Sequence, residues 1–239
     1  MNKKIKQTKG FCFKQFEIDG GQCGMPVSTD GVMLGAWAEV EHSMHLLDIG
    51  TGTGLLALMC AQRTQNTQIW GVDIDENAAI TAQLNVANSP WAERIQIELG
   101  DINNISYPHQ FDAIICNPPY FKTGAQSELQ QRATARHTDS LNHLALLERC
   151  ASLLTDDGKA SFILPEVEGR EFIALAREVG FCLSRLCEVK PTESKDVSRL
   201  LFELSKHHTE CQHQQLTIHS KEGYSDAFIA LTRDFYLKM

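Results

Sequence analysis

His45-Leu46-Leu47-Asp48-Ile49-Gly50-Thr51-Gly52-Thr53-Gly54 decides the fold: an apolar run interrupted by one acid, then three alternating glycines. Leu55 to Arg63 follows as a stretch of helix-forming residues, so the segment reads as strand, glycine loop and helix. Gly50, Gly52 and Gly54 let the backbone approach a ligand closely and leave amide groups of the helix start facing it. The Gly-x-Gly-x-Gly spacing lacks the turn of the Gly-x-Gly-x-x-Gly dinucleotide fingerprint, and a Walker lysine is missing. Asp48, just ahead of the loop, suits a cationic, amino-acid-bearing ligand better than phosphates.

The next apolar run, Gln68-Ile69-Trp70-Gly71-Val72, ends in Asp73. A carboxylate about 20 residues beyond the glycines can accept hydrogen bonds from both hydroxyls of a ribose. Ile74 then lies against an adenine face, and Asp75 reads as the N-cap of a helix from Glu76 to Ala87. A third strand, Arg94 to Leu99, ends in Gly100-Asp101. Asp101 either accepts from an adenine amino group or forms a turn.

A fourth run, Phe111-Asp112-Ala113-Ile114-Ile115-Cys116, stops at Asn117-Pro118-Pro119-Tyr120. Neither proline can donate to a strand ladder and each restricts the residue before it, so the chain turns outward there. The Asn117 side-chain oxygen and the Pro118 carbonyl can both accept from one planar amine, with the Tyr120 ring as a stacking surface. A turn that merely closes a strand would explain the prolines but not the asparagine and tyrosine as a set. Asn117, Pro118, Pro119 and Tyr120 are therefore the expected catalytic residues.

Further along, Leu141 to Leu154 has helical spacing and Lys159 to Leu164 reads as a fifth strand. Gly169 to Val179 is a helix, Phe181 to Lys190 and Arg199 to Lys206 form an antiparallel pair, and Leu216 to His219 and a helix from Ser225 to Tyr236 follow. The predicted fold is α/β, a doubly wound, mostly parallel sheet of seven strands. Phe11-Cys12-Phe13-Lys14-Gln15-Phe16 alternates apolar and polar residues and is predicted to be a strand covering the cofactor side.

The 239 residues carry a net charge of −8. Residues 1 to 14 hold five lysines (Lys3, Lys4, Lys6, Lys9, Lys14) and no acid, which leaves residues 15 to 239 at −13. Such an arm can hold RNA phosphates or serve as a solubilising tail. A second basic set, Lys122, Arg132, Arg136 and His137, lies in a polar segment after the Asn-Pro-Pro-Tyr tetrad, suited to a substrate loop. No run is long and apolar enough to span a membrane and the N-terminus lacks a signal-peptide pattern, so a cytoplasmic location is expected. Eight cysteines without a Cys-x-x-Cys pair point to reduced thiols, with Cys60, Cys116, Cys150 and Cys182 inside apolar elements. His207, His208, Cys211 and His213 lack metal-site spacing, and no metal is expected.

Asp48 to Gly54, Asp73, Asp101 and Asn117 to Tyr120, in that order and spacing, resemble the class I S-adenosylmethionine-dependent methyltransferases that act on amino groups. The resemblance covers residues 25 to about 205. Phe13-Lys14-Gln15-Phe16-Glu17-Ile18, Cys23 to Trp37 and Ala227 to Tyr236 are more narrowly similar to bacterial enzymes that N6-methylate adenosine 37 in the anticodon loop of valine tRNA. The chain departs from them at Gly24, where alanine is expected, and at Pro26-Val27-Ser28, more usually a basic residue, valine and glycine. The resemblance implies S-adenosyl-L-methionine as cofactor, held by Thr29, Asp30, Asp48, Gly50, Gly52, Gly54, Asp73, Ile74, Asp101 and Asn117. It implies tRNA as partner, contacted by Lys3, Lys4, Lys6, Lys9, Tyr120, Lys122, Arg132 and Arg136, with the protein acting as a monomer. Residues 1–24 would form a basic arm and covering strand, and 25–239 the methyltransferase domain. A glutamine amide of a release factor, guanine N2 of ribosomal RNA, or a cofactor-sensing RNA-binding module without chemistry are the alternatives.

Overall fold

A computed structural model describes residues 9–21, 27–118 and 143–238. The elements run β1 (Phe11–Cys12), β2 (Glu17–Ile18), α1 (Thr29–Trp37), β3 (His45–Ile49), α2 (Leu55–Arg63), β4 (Gln68–Asp73), α3 (Glu76–Ala87), β5 (Ile95–Leu99) and β6 (Phe111–Cys116). They continue with α4 (residues 143–153), β7 (Leu154–Pro165), α5 (Glu166–Glu178), β8 (Cys182–Thr192), β9 (Arg199–Ser205), β10 (Gln212–His219) and α6 (Asp226–Thr232).

The large sheet has the order β10-β8-β9-β7-β6-β3-β4-β5. The pairs from β7 through β6, β3 and β4 to β5 are parallel; β9 runs antiparallel to both its neighbours. The class is the predicted one, α/β and mostly parallel, with an eighth strand beyond the seven read from sequence. That strand, β10, pairs parallel with β8. Its first four residues, Gln212-His213-Gln214-Gln215, are polar and exposed, so they carry no apolar alternation by which a strand could be read.

Alternation sets the two faces. In β3, Leu46 joins the core under α1 and α2 while Leu47 and Ile49 join the core under α4 and α5. In β6, Ala113 and Ile115 face the first core and Ile114 and Cys116 the second. Both faces of these strands are covered, which is why the runs read as continuously apolar. Each buried leucine contributes on the order of 1.5–3 kcal/mol. Across the sheet, Arg185 of β8 lies 4.1 Å from the ring centroid of Trp37 in α1 and 3.4 Å from Glu203 of β9, a fully buried carboxylate. This holds α1 to the antiparallel half.

The predicted strand over Phe11–Phe16 is instead a short hairpin, β1 against β2, closed by Phe13 N–H donating to the Phe16 carbonyl at 2.9 Å. Phe13 and Phe16 are three residues apart, so they cannot share one face of an extended strand. They stack across the turn, with centroids 4.6 Å apart, and both are buried. Phe13 also bridges to Tyr236 in the C-terminal segment. Cys182, expected in the core, is partly exposed at the start of β8, whereas Cys187 is buried. No helix among the described residues is long and apolar enough to cross a membrane.

Candidate active site

The chain leaves β3 toward β4 on one side and returns to β6 on the other, so the carboxyl end of β3 is a topological switch point, where open parallel sheets leave a crevice. A cavity of about 460 Å³ occupies it, of ordinary size for a small ligand. Its walls come from Ile49–Thr53 at the end of β3, Val72–Asp75 at the end of β4, Gly100–Ile102 after β5 and Asn117 after β6.

The glycine loop is pinned from below. The amide groups of Gly50 and Thr51 donate to the Val72 carbonyl at 2.8 and 3.0 Å. Gly50 and Gly52 have φ of 70° and 59°, which a side chain would strain, and a Cβ on Gly50 would meet nothing within 4 Å. Gly50 and Gly52 both line the cavity. Asp48 lies under the loop, fully buried: its Oδ2 accepts from Thr51 Oγ1 at 2.6 Å and from the Ala57 amide at 3.1 Å, while Oδ1 has no partner among the described residues. Asp48 does not line the cavity; it braces the turn into α2.

Burial pushes the Asp48 carboxyl up to about 7, against the two hydrogen bonds that favour its anion and with the nearby Asp73 charge raising it further. A carboxyl whose folded value lies above its unfolded one binds more protons in the native state between the two values. Its contribution to stability therefore falls as pH rises from about 4 to 7. Asp48→Asn, which cannot ionise, should lack this loss, up to about 4 kcal/mol for one group. Urea melts at pH 4.5, 6 and 7.5 should show the wild type weakening relative to the variant; parallel trends would contradict the assignment.

Asp73 lines the cavity and has a second task that the sequence did not reveal. Its Oδ2 accepts from the Gly52 amide at 2.8 Å and its Oδ1 from the Asp75 amide at 2.9 Å. Each oxygen keeps a lone pair for a ribose hydroxyl. Ile74 projects beside it with 72% of its surface exposed, an apolar shelf at the cavity wall. Ile102, which sequence reasoning passed over, also lines the wall. Asp75 caps α3 through the amides of Asn77 and Ala78. Asp101 lines the cavity too and also makes a turn: Oδ1 accepts from the Asn103 amide at 2.9 Å.

Thr29 and Asp30 do not line the cavity. Asp30 points to Arg199 at the start of β9, Nε to Oδ2 2.8 Å, while Val27, Ser28 and Gly31 reach the wall. Ser28, one of the departures from the family pattern, uses its Oγ to accept from the Gly31 amide and cap α1. Gly54 starts α2 at φ 82° and packs against α3 rather than the cavity, a Cβ there lying 3.4 Å from Ala82. None of residues 11–16 lines the cavity, so the hairpin does not cover this side.

Asn117 sits at the end of β6 with its Oδ1 buried and without a hydrogen-bond partner among the described residues. A buried unpaired acceptor costs on the order of 1–3 kcal/mol unless a ligand satisfies it. Pro118 is buried beside it. Pro119, Tyr120, Lys3, Lys4, Lys6, Lys122, Arg132, Arg136 and His137 lie outside the described residues; Lys9 is exposed. Burial pushes the thiol of Cys116, the residue before Asn117, well above its ordinary value, so no thiolate forms there at neutral pH. No cluster of three or more potential metal ligands occurs among the described residues.

A family profile described as a methyltransferase small domain matches residues 32–171. A protein of Vibrio parahaemolyticus named tRNA1(Val) (adenine(37)-N6)-methyltransferase is 58% identical, covering 98% of each chain. Proteins of the same name from Vibrio cholerae and Aliivibrio fischeri are 54% and 52% identical, covering 97% of this chain and 97% and 99% of their own. Among solved structures, a predicted O-methyltransferase from Agrobacterium tumefaciens aligns with a TM-score of 0.67 at 15% identity, over 86% of this chain and 96% of that one. A ribosomal protein L11 methylase from Lactobacillus delbrueckii aligns at 0.53 and 18%, over 74% and 77%. At such identities the structural likeness speaks for the fold, and it is the fold of methyltransferases. With relatives alike over nearly their whole length and a cavity at the switch point between β3 and β6, the chain belongs to the family of the tRNA1(Val) (adenine(37)-N6)-methyltransferases.

Proposed function

We propose that this protein transfers the methyl group of S-adenosyl-L-methionine to N6 of adenosine 37 in the anticodon loop of a valine tRNA, in the cytoplasm. The observation that carries the reading is the buried, unpartnered Asn117 Oδ1 at the wall of a cavity that also presents the Asp73 carboxylate and the Ile74 shelf. The residues fit the cofactor: an acceptor pair for a ribose diol, apolar surfaces at Ile74 and Ile102 for a flat base, and a glycine loop open toward the ligand. Bound there, the cofactor would supply an electrophilic methyl group on a sulfonium.

The chain's own residues do the rest by positioning. The adenine N6 lone pair is delocalised into the ring. Asn117 Oδ1 and the Pro118 carbonyl accept its two hydrogens, favour a more pyramidal nitrogen and aim the lone pair along the line of displacement. No general base is needed, because the nitrogen proton becomes acidic as the new bond forms and leaves to solvent. Tyr120 stacks on the extruded base, a contribution of about 1–3 kcal/mol. An anticodon-loop base is not paired in a duplex, which lowers the cost of extrusion.

The test is to incubate the purified protein and cofactor with unmodified valine tRNA, a release factor or ribosomal RNA. N6-methyladenosine at position 37, found by nucleoside mass spectrometry, is the expected product. Label on a release-factor glutamine or on guanine, and none on tRNA, would overturn the reading.

The basic arm belongs to the same proposal. Removing residues 1–9 takes away Lys3, Lys4, Lys6 and Lys9 and leaves the cavity residues whole. tRNA binding should weaken with little change in cofactor affinity. The slope of log affinity against log salt should fall by about 3 if all four lysines meet phosphates. Titrations at several salt concentrations check this; a solubilising tail predicts superimposable lines.

A further inference from the structure

Asn85 lies in the last turns of α3, 3% exposed, and makes hydrogen bonds in two directions. Its Nδ2 donates to the Thr53 carbonyl in the glycine loop at 2.9 Å and to the Asp19 carbonyl at 3.0 Å. Its Oδ1 accepts from the Asp19 amide at 2.8 Å. Thr53 lines the cavity; Asp19, just after β2, does not. One buried side chain thus pairs with both backbone groups of a hairpin residue, as a neighbouring strand would, and holds a carbonyl of the cofactor loop with its remaining hydrogen.

We infer that Asn85 is a positioning residue that fastens the glycine loop to the N-terminal hairpin, making the hairpin part of the cofactor-binding machinery although it does not line the cavity. The inference rests on the reading that the cavity takes S-adenosylmethionine. The loop needs such an anchor. Gly50, Gly52 and Gly54 all have positive φ and high intrinsic freedom, so an unheld loop would lose that freedom on ligand binding and weaken affinity. The loop is held from β4 by Val72 and Asp73, and Asn85 holds it from the opposite side, through α3.

The hairpin end is itself well fixed. Gly21 N–H donates to Asp19 Oδ1 at 2.9 Å, and Phe16 packs edge-on to Trp91, 5.9 Å between centroids. A Cβ on Gly21 would lie 2.5 Å from Thr81 Oγ1, so the chain passes directly over α3. Order imposed on the hairpin therefore reaches the loop through one amide group. Linkage makes the effect reciprocal: cofactor binding should steady Asp19 as well.

Three variants test this. Asn85→Leu keeps the branched shape and number of heavy atoms, with more bulk, and has neither donor nor acceptor. Asn85→Asp keeps the acceptor for the Asp19 amide but faces both carbonyls with lone pairs. Asn85→Ala removes volume and bonds together. Calorimetric Kd for S-adenosylmethionine should rise about tenfold in Asn85→Leu and at least as much in Asn85→Asp, with kcat at saturating cofactor near wild type. In cofactor-free protein, amide exchange at Thr53 and Gly54 should be faster in all three. In the wild type, exchange at the Asp19 amide should slow when cofactor is added, a change that packing alone would not give. Wild-type affinity and loop exchange in Asn85→Leu would overturn the inference. If the wild type bound no cofactor yet the variants loosened the loop, the fastening role would stand and the cofactor reading would fall.

Discussion

Asn117→Ala is expected to cut turnover at least about a hundredfold while leaving S-adenosylmethionine affinity largely intact. The loss is that of one preorganised catalytic acceptor, on the order of 2.7 kcal/mol or more in the transition state. The structure gives the reason for the split. Asn117 Oδ1 has no partner among the described residues, so the acceptor that alanine removes braces none of them, whereas Asp73 and the glycine loop keep their hydrogen bonds. Removing a buried unpaired acceptor should leave stability level or slightly raised. Single-turnover rates with excess enzyme, beside calorimetry of cofactor binding, separate the two effects. Near-normal rates would make Asn117 a strand-ending residue and nothing more.

Asp73→Ala should act in the opposite sense, weakening cofactor binding by a few kcal/mol, about a hundredfold or more, with any turnover defect following from occupancy. Two losses combine in this variant: the acceptors for the ribose hydroxyls, and the anchor that the carboxylate gives to the Gly52 and Asp75 amides. Asp73→Asn separates them, since it keeps one acceptor oxygen and trades the other for a donor. Its affinity should fall between wild type and alanine. Unchanged calorimetric affinity in Asp73→Ala would move the cofactor elsewhere.

What could be read from sequence follows the range of the forces involved. The run from His45 to Arg63 and the helix from Glu76 to Ala87 declare themselves because apolar period, glycine and capping aspartate act within a few residues of one another. Asp73 and Asn117 were legible as residues that end strands. Val27, Ser28, Gly31 and Ile102 were not, because they reach the cavity through tertiary packing. The same holds for Asp30, whose link to Arg199 spans 169 residues. Asn85 was hidden for another reason: an amide in a helix looks like any solvent-facing residue until the elements on both sides are in place. Only the second half of β10, Leu216 to His219, was legible, because an edge strand paired on one side needs little apolar surface.

The bridge between Phe13 and Tyr236, with Lys14 donating to the Arg233 carbonyl 219 residues away, bears on the order of assembly. During translation, the first aromatic residues leave the ribosome long before their partners exist. At roughly 5–20 residues per second the interval is on the order of ten seconds or more. The Asp19–Asn85 pairing needs only 66 residues of separation and can form early. The nascent chain can therefore set its cofactor loop while Phe11 and Phe13 still await the far segment. Completion of the hairpin's outer layer marks a chain that has been synthesised through to Tyr236.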